Sequence, residues 1–150
     1  MNYFDLINSH KYIFLGGINE PEENSLRLIL KEGVVSKHEE SLWIQDVELT
    51  DCSYIEVTKC SRIYEVIFDT YIAYSIINES YTLADNYEIW EGALIRIYSK
   101  SYYLDYISKA TFASNDYPGE YKHYGFICLN HIIEVASTEP PLITLINGRY

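Results

Sequence analysis

From Arg62 to Phe68 the chain alternates, so that Tyr64, Val66 and Phe68 share one face and Ile63, Glu65 and Ile67 the other. A second run, Tyr71 to Ile77, sets Ile72, Tyr74 and Ile76 against Tyr71, Ala73, Ser75 and Ile77. Both faces of both runs are largely apolar and rich in β-branched and aromatic residues, which favours strand over helix. The gap between them is short. Residues 61–80 therefore read as a central hairpin, covered on both sides, at the middle of a sheet.

The remaining pattern extends this picture. Residues 3–10 predict a short helix around Phe4, Leu6 and Ile7, and Lys11 to Leu15 a strand ended by Gly16-Gly17. Residues 18–24, with Pro21, read as a loop. Leu26, Leu28 and Leu30 alternate within a strand over 25–32, where a helix is the competing expectation on propensity. Lys37 to Glu40 reads as a charged connection. Strands follow at 41–49 and 53–57, with the turn between them at Thr50-Asp51. A turn at Asp85-Asn86 follows, then a strand pattern over 88–98 around Gly92. Ser101 to Phe112 predicts a helix: Ser101 supplies an N-cap hydroxyl, and Tyr103, Leu104, Ile107 and Ala110 recur at helical spacing. Ser114 to Gly119 breaks it. Strands at 122–129 and 131–137 and a last run at 142–146 complete the reading. The fold class expected is α+β and sheet-dominated, mainly antiparallel, either barrel-like or a sandwich, with one or two helices in one domain spanning 1–150.

Charge changes the picture more than overall composition does. The net charge is −11, and residues 61–95 carry six acids against one base. That disfavours binding to the phosphate backbones of nucleic acid, which needs clustered Lys and Arg, and favours a basic partner. No run of 18 apolar residues exists, so no membrane-spanning helix is expected. The N-terminus lacks a basic start and an apolar stretch, which gives a cytoplasmic location as the expectation. Cys52, Cys60 and Cys128 follow no metal-binding spacing and read as free thiols.

Catalytic signatures are missing. His10, His38, His123 and His131 form no i,i+4 pair, and no Gly-rich phosphate loop or nucleophile elbow is present, so no metal or cofactor is implied. Cys128 near His131 reads as a buried apolar residue. Glu65, among apolar neighbours, needs a cationic partner, for which Arg62 and Arg96 are the candidates. Tyrosine is the other departure: there are sixteen, several of them in turns or on the exposed side of the helix. Tyrosine offers a large contact area and one hydrogen bond at low entropic cost, which suits interfaces. Glu79, Tyr81, Tyr87, Glu88 and Glu91 are the expected contact surface. The alternative is a ligand-binding or enzymatic cleft beside the hairpin, drawing on Glu65, His123 and His131. Self-association through sheet edges is a third reading.

Phe68-Asp69-x-Tyr71-Ile72-Ala73-Tyr74-x-Ile76-x-Asn78-Glu79-Ser80, and the segment from His123-Tyr124 to Asn130-x-Ile132-Ile133-Glu134-Val135, resemble a group of small uncharacterised bacterial proteins; similar small acidic domains occur as immunity proteins in polymorphic toxin systems. The resemblance covers about a quarter of the chain and lies on fold-determining apolar positions, so it carries no site residues across. It raises the expectation of an immunity protein with a toxin domain as partner; the acidic 61–95 segment, the surplus tyrosine and the missing catalytic constellation are what favour a non-enzymatic role.

Overall fold

A computed structural model of the chain describes residues 2–147. Ten strands form two antiparallel sheets. In the first, β1 (Tyr12–Asn19), β2 (Leu26–Ile44), β4 (Ile63–Phe68) and β10 (Leu142–Leu145) lie in that spatial order, and β3 (Val47–Glu56) pairs with β2. In the second the order is β5 (Ala73–Asn78), β9 (His131–Ser137), β8 (Lys122–Ile127), β7 (Ile95–Lys100) and β6 (Ile89–Glu91). The helices are α1 (Tyr3–Asn8) and α2 (Tyr102–Ala110).

Alternation puts one face of each sheet in a shared core. The first sheet gives Leu26, Leu28, Leu30, Tyr64, Val66 and Phe68; the second gives Ile95, Tyr124, Phe126, Ile133 and Val135. Phe68 meets Tyr124 and Phe126 edge-on across the interface, with ring centroids 5.4 and 6.1 Å apart. Ile7 of α1 is fully buried in the same core. The architecture is a sandwich of two sheets, as the sheet-dominated α+β expectation allowed, and no closed barrel forms among the described residues.

The central hairpin is not formed. β4 pairs with β2 and β10, whereas β5 pairs with β9 at the edge of the other sheet, so the 69–72 link crosses between layers. Ile72 N–H donates to Ala136 O at 2.7 Å, which draws the chain into the second sheet as soon as it leaves β4. The outer face of β4 is half-buried rather than covered, and Ile76 and Ile77 of β5 are exposed. Glu65 pairs with neither Arg62 nor Arg96 but with Arg27, 2.5 Å away on the adjacent strand of that outer face.

The 37–40 connection is also corrected. β2 runs unbroken through Lys37 to Glu40, and the turn falls at Gln45-Asp46, where Gln45 takes a φ of 55°. Asp51, expected in the turn, instead sits within β3 at a φ of 60°, close to a shift in the strand register. Beyond Gly33, β2 and β3 pair only with each other and project as a two-stranded arm. A Cβ on Gly33 would stand 2.9 Å from the Phe14 ring, so the root of the arm accepts no side chain there. Gly16-Gly17 does not end β1, which continues to Asn19 past a register shift between Leu15 and Gly17.

A cleft over the outer face of the second sheet

Positions that alternate with the core residues of the second sheet build its outer face: Arg96 and Tyr98 on β7, His123 and Gly125 on β8, Ile132 and Glu134 on β9. α2 lies over this face. Its N-cap is Ser101, whose Oγ accepts the Leu104 N–H at 3.0 Å, as the sequence predicts. Ile107 is the fully buried anchor of the helix.

Beneath the helix N-terminus is a buried polar chain. His123 is completely buried, with Nδ1 2.7 Å from Ser101 Oγ and Nε2 2.6 Å from Glu134 Oε2. Ser101 is fully buried too, and its hydroxyl shares a hydrogen bond with His123 Nδ1. The Glu134 oxygen lies off the N–H axis, so His123 Nε2 has no well-aligned acceptor among the described residues. Tyr98 stacks on the imidazole at 4.1 Å and 10°. That stack depends on Gly125, because a Cβ there would come within 2.7 Å of Tyr98 Cε2.

Above this chain opens a cleft of about 460 Å³, within the range of small-ligand sites. Its floor is Ile77, Tyr98, Ile127, Ile132 and Glu134. α2 contributes Tyr102, Tyr103 and Tyr106, and the segment after β5 contributes Glu79, Tyr81 and Leu83. Thr82, Arg96 and Glu88 complete the lining, and Glu88 accepts the Tyr102 N–H at 3.2 Å. Burial pushes the Glu88 carboxyl above the usual carboxylate range; the Tyr102 N–H opposes this, and the negative charge of Glu134 adds to it. Burial likewise pushes the Tyr103 hydroxyl up to about 12.

The loop carrying Glu88 is fastened to α2. Tyr87 stacks on Tyr102 at 4.4 Å and its hydroxyl donates to Asp105, while Tyr102 donates to Asp85 at 2.5 Å. Lys100 Nζ sits 4.3 Å from the centre of the Tyr87 ring.

Of the expected contact residues, Glu79, Tyr81 and Glu88 line the cleft; Tyr87 braces its wall, and Glu91 lies outside it on β6. The alternative set is not brought together. Glu65 is on the other sheet, and His131 pairs with Asn78 at the opposite end of β9 from His123, which lies opposite Ala136. Among the described residues no three His, Cys, Asp or Glu side chains converge as a metal site. Cys128 is buried, which pushes its thiol up to about 12 and leaves it inert as a nucleophile. Sequence reasoning missed Ser101 as a partner of His123, and missed Tyr98 and Tyr103. Glu134 carried a usable signal, a lone charge between Ile133 and Val135.

Comparison with protein-family models, with curated proteins and with solved structures finds no match to this chain. Fold and cleft together define a two-sheet antiparallel sandwich with an acidic, tyrosine-lined depression on the outer face of one sheet. No helix among the described residues is long and apolar enough to cross a membrane.

Proposed function

We propose that this chain is a non-enzymatic protein-binding domain, an immunity protein that neutralises a basic cognate toxin through its acidic, tyrosine-rich face. The observation that carries this reading is the meeting of Glu79, Tyr81 and Glu88 with Tyr102, Tyr103 and Tyr106 around one cleft. Carboxylates there give charge complementarity, and the rings give contact area at low entropic cost. A hydrolytic reading of Ser101, His123 and Glu134 is less well supported. The Ser101 oxygen is buried and engaged as a helix cap, so this hydroxyl is not presented to the cleft as a nucleophile.

The test is retention of a partner from native lysate on the immobilised protein, with washes at low and high salt. A basic protein is expected, released by salt and lost with E79K or E88K. Retention that ignores both salt and these substitutions would refute the reading, as would no retained protein at all.

A further inference from the structure

Sheet edges that meet water are normally blunted by charge, proline, brevity or a bulge, because an open strand recruits another. Among the described residues the edges follow that rule with one exception. β1 carries a register shift between Leu15 and Gly17, β6 has three residues and a shift of its own, and β10 has four residues behind Pro140-Pro141. The arm carries register shifts and the charged residues Lys37, Glu39, Glu48 and Asp51. β5 has none of these. It pairs with β9 from Ala73 to Asn78 without a shift, and residues 70–78 hold no charge and no proline. Ile76 on one face and Ile77 on the other are 42% and 39% exposed, so both faces of the strand lack cover.

Hydrogen-bond phase fixes which backbone groups are open. Cys128 N–H donates to His131 O, so the odd-numbered residues of β9 turn toward β8. Ile132, Glu134 and Ala136 therefore face β5, where they meet Ile77, Ser75 and Ala73. Glu79 N–H donates to Asn130 O in the same phase. The N–H and C=O groups of Tyr74 and Ile76 point the other way, and no hydrogen bond from another element reaches them among the described residues.

The strand is also its own complement. Turned about a two-fold axis at Ser75, it sets Tyr74 opposite Ile76 of the copy, Ala73 opposite Ile77, and Ser75 opposite itself. The outward groups of Tyr74 then bond those of Ile76, and the reverse. Aromatic against β-branched is a favourable cross-strand pair. Glu79 lies beyond the paired run. In a chain of net charge −11, this uncharged run is where a like-charged copy can approach, whereas a basic segment finds no counter-charge in it.

We propose that the chain forms a two-fold dimer through β5, joining two five-stranded sheets edge to edge into one continuous sheet. This goes beyond the toxin-binding reading and does not depend on it. Strand pairing buries less than the roughly 1,200 Å² of a standard interface, so the expected Kd is on the order of 10 μM.

The test is sedimentation equilibrium of the full chain from about 1 μM to about 1 mM. A monomer–dimer equilibrium is expected. Ile76→Lys, outside the cleft, should weaken it by about tenfold or more while melting as the wild type does, and Trp43→Ala at the tip of the arm should leave it unchanged. With Cys52 and Cys60 replaced by Ser, Ser75→Cys should cross-link two copies on oxidation, because the axis puts this pair in the close, non-hydrogen-bonded position. Ile89→Cys, on the opposite edge of the sheet, should not. A chain that stays monomeric throughout overturns the proposal, as does a dimer that ignores Ile76→Lys or is lost with Trp43→Ala. A dimer that folded Ser75→Cys does not cross-link overturns the two-fold register; should Ser75→Cys not fold, Ile76→Lys decides alone. Exchange protection of the Tyr74 and Ile76 amides that arises only when a different protein binds would assign the edge to a foreign strand and overturn self-pairing.

Discussion

Asn8 closes α1 and accepts three backbone hydrogens on one oxygen, from Ala93 at 3.1 Å and from Leu94 and Ile95 at 2.8 Å each. These amides belong to the tight turn that leads into β7, where Gly92 holds a φ of 93° and a Cβ would strike Ile95 O at 2.0 Å. Replacing Asn8 by Ala removes the shared acceptor. Each buried donor left unpaired costs about 1–3 kcal/mol, but the turn is partly open and water will satisfy some of the three. Alanine also returns about 0.5 kcal/mol of helix propensity. The expected net loss is about 2 kcal/mol, or roughly 4–8 °C in Tm for a chain of this size. Asn8→Asp keeps the acceptor and should lose less than about 1 kcal/mol. Urea and thermal unfolding of the two variants provide the measurement. Should Ala prove as stable as wild type, or Asp as damaging as Ala, the three-way acceptor is not what holds the turn.

Gly125→Ala is expected to cost about 1–3 kcal/mol by pushing the Tyr98 ring off His123, and Gly125→Ala combined with Tyr98→Leu should recover part of that loss in thermal melts. Phe68→Ala, in the middle of the core, should cost about 3–5 kcal/mol, while Trp43→Ala, on the exposed arm, should leave the unfolding midpoint nearly unchanged. Under native conditions a thiol reagent should modify the exposed Cys60 and spare Cys128 until the chain unfolds. The Tyr103 hydroxyl has a folded value of about 12, above the ordinary 10.0. The stability it contributes is therefore complete below pH 10 and is lost as pH rises through 12. Ultraviolet titration of Tyr103→Phe should show one fewer late-ionising tyrosine.

Local chemistry was legible in the sequence and partner choice was not. The Ser101 hydroxyl and the spacing to Ile107 act within a few residues, so α2 and its cap were readable in advance. The two apolar runs after Arg62 were correctly strands, but their pairing was not local. Val66 lies opposite Leu28 on one side and Ile143 on the other, and nothing in the short 69–72 link records that. The arm was misdivided for a related reason. Asp51 has the side chain of a turn residue and adopts the positive φ such residues tolerate, but it spends that freedom on an irregularity inside β3. In the cleft, Glu88 and Tyr81 were found through charge and tyrosine surplus. The Ser101–His123–Glu134 chain spans three elements, and its members meet only after α2 folds back over β8 and β9.

The strand Leu26–Ile44 belongs to the core at one end and to the solvent at the other. From Val34 to Ile44 it reaches roughly 35 Å at the usual rise per residue. A tilt of about 5° at Gly33 thus swings Trp43 through roughly 3 Å without disturbing Leu26, Leu28 or Leu30. The arm is a lever with its fulcrum in the sheet, and backbone protection should fade along it from root to tip, because each rung beyond the fulcrum is closed by a single neighbour.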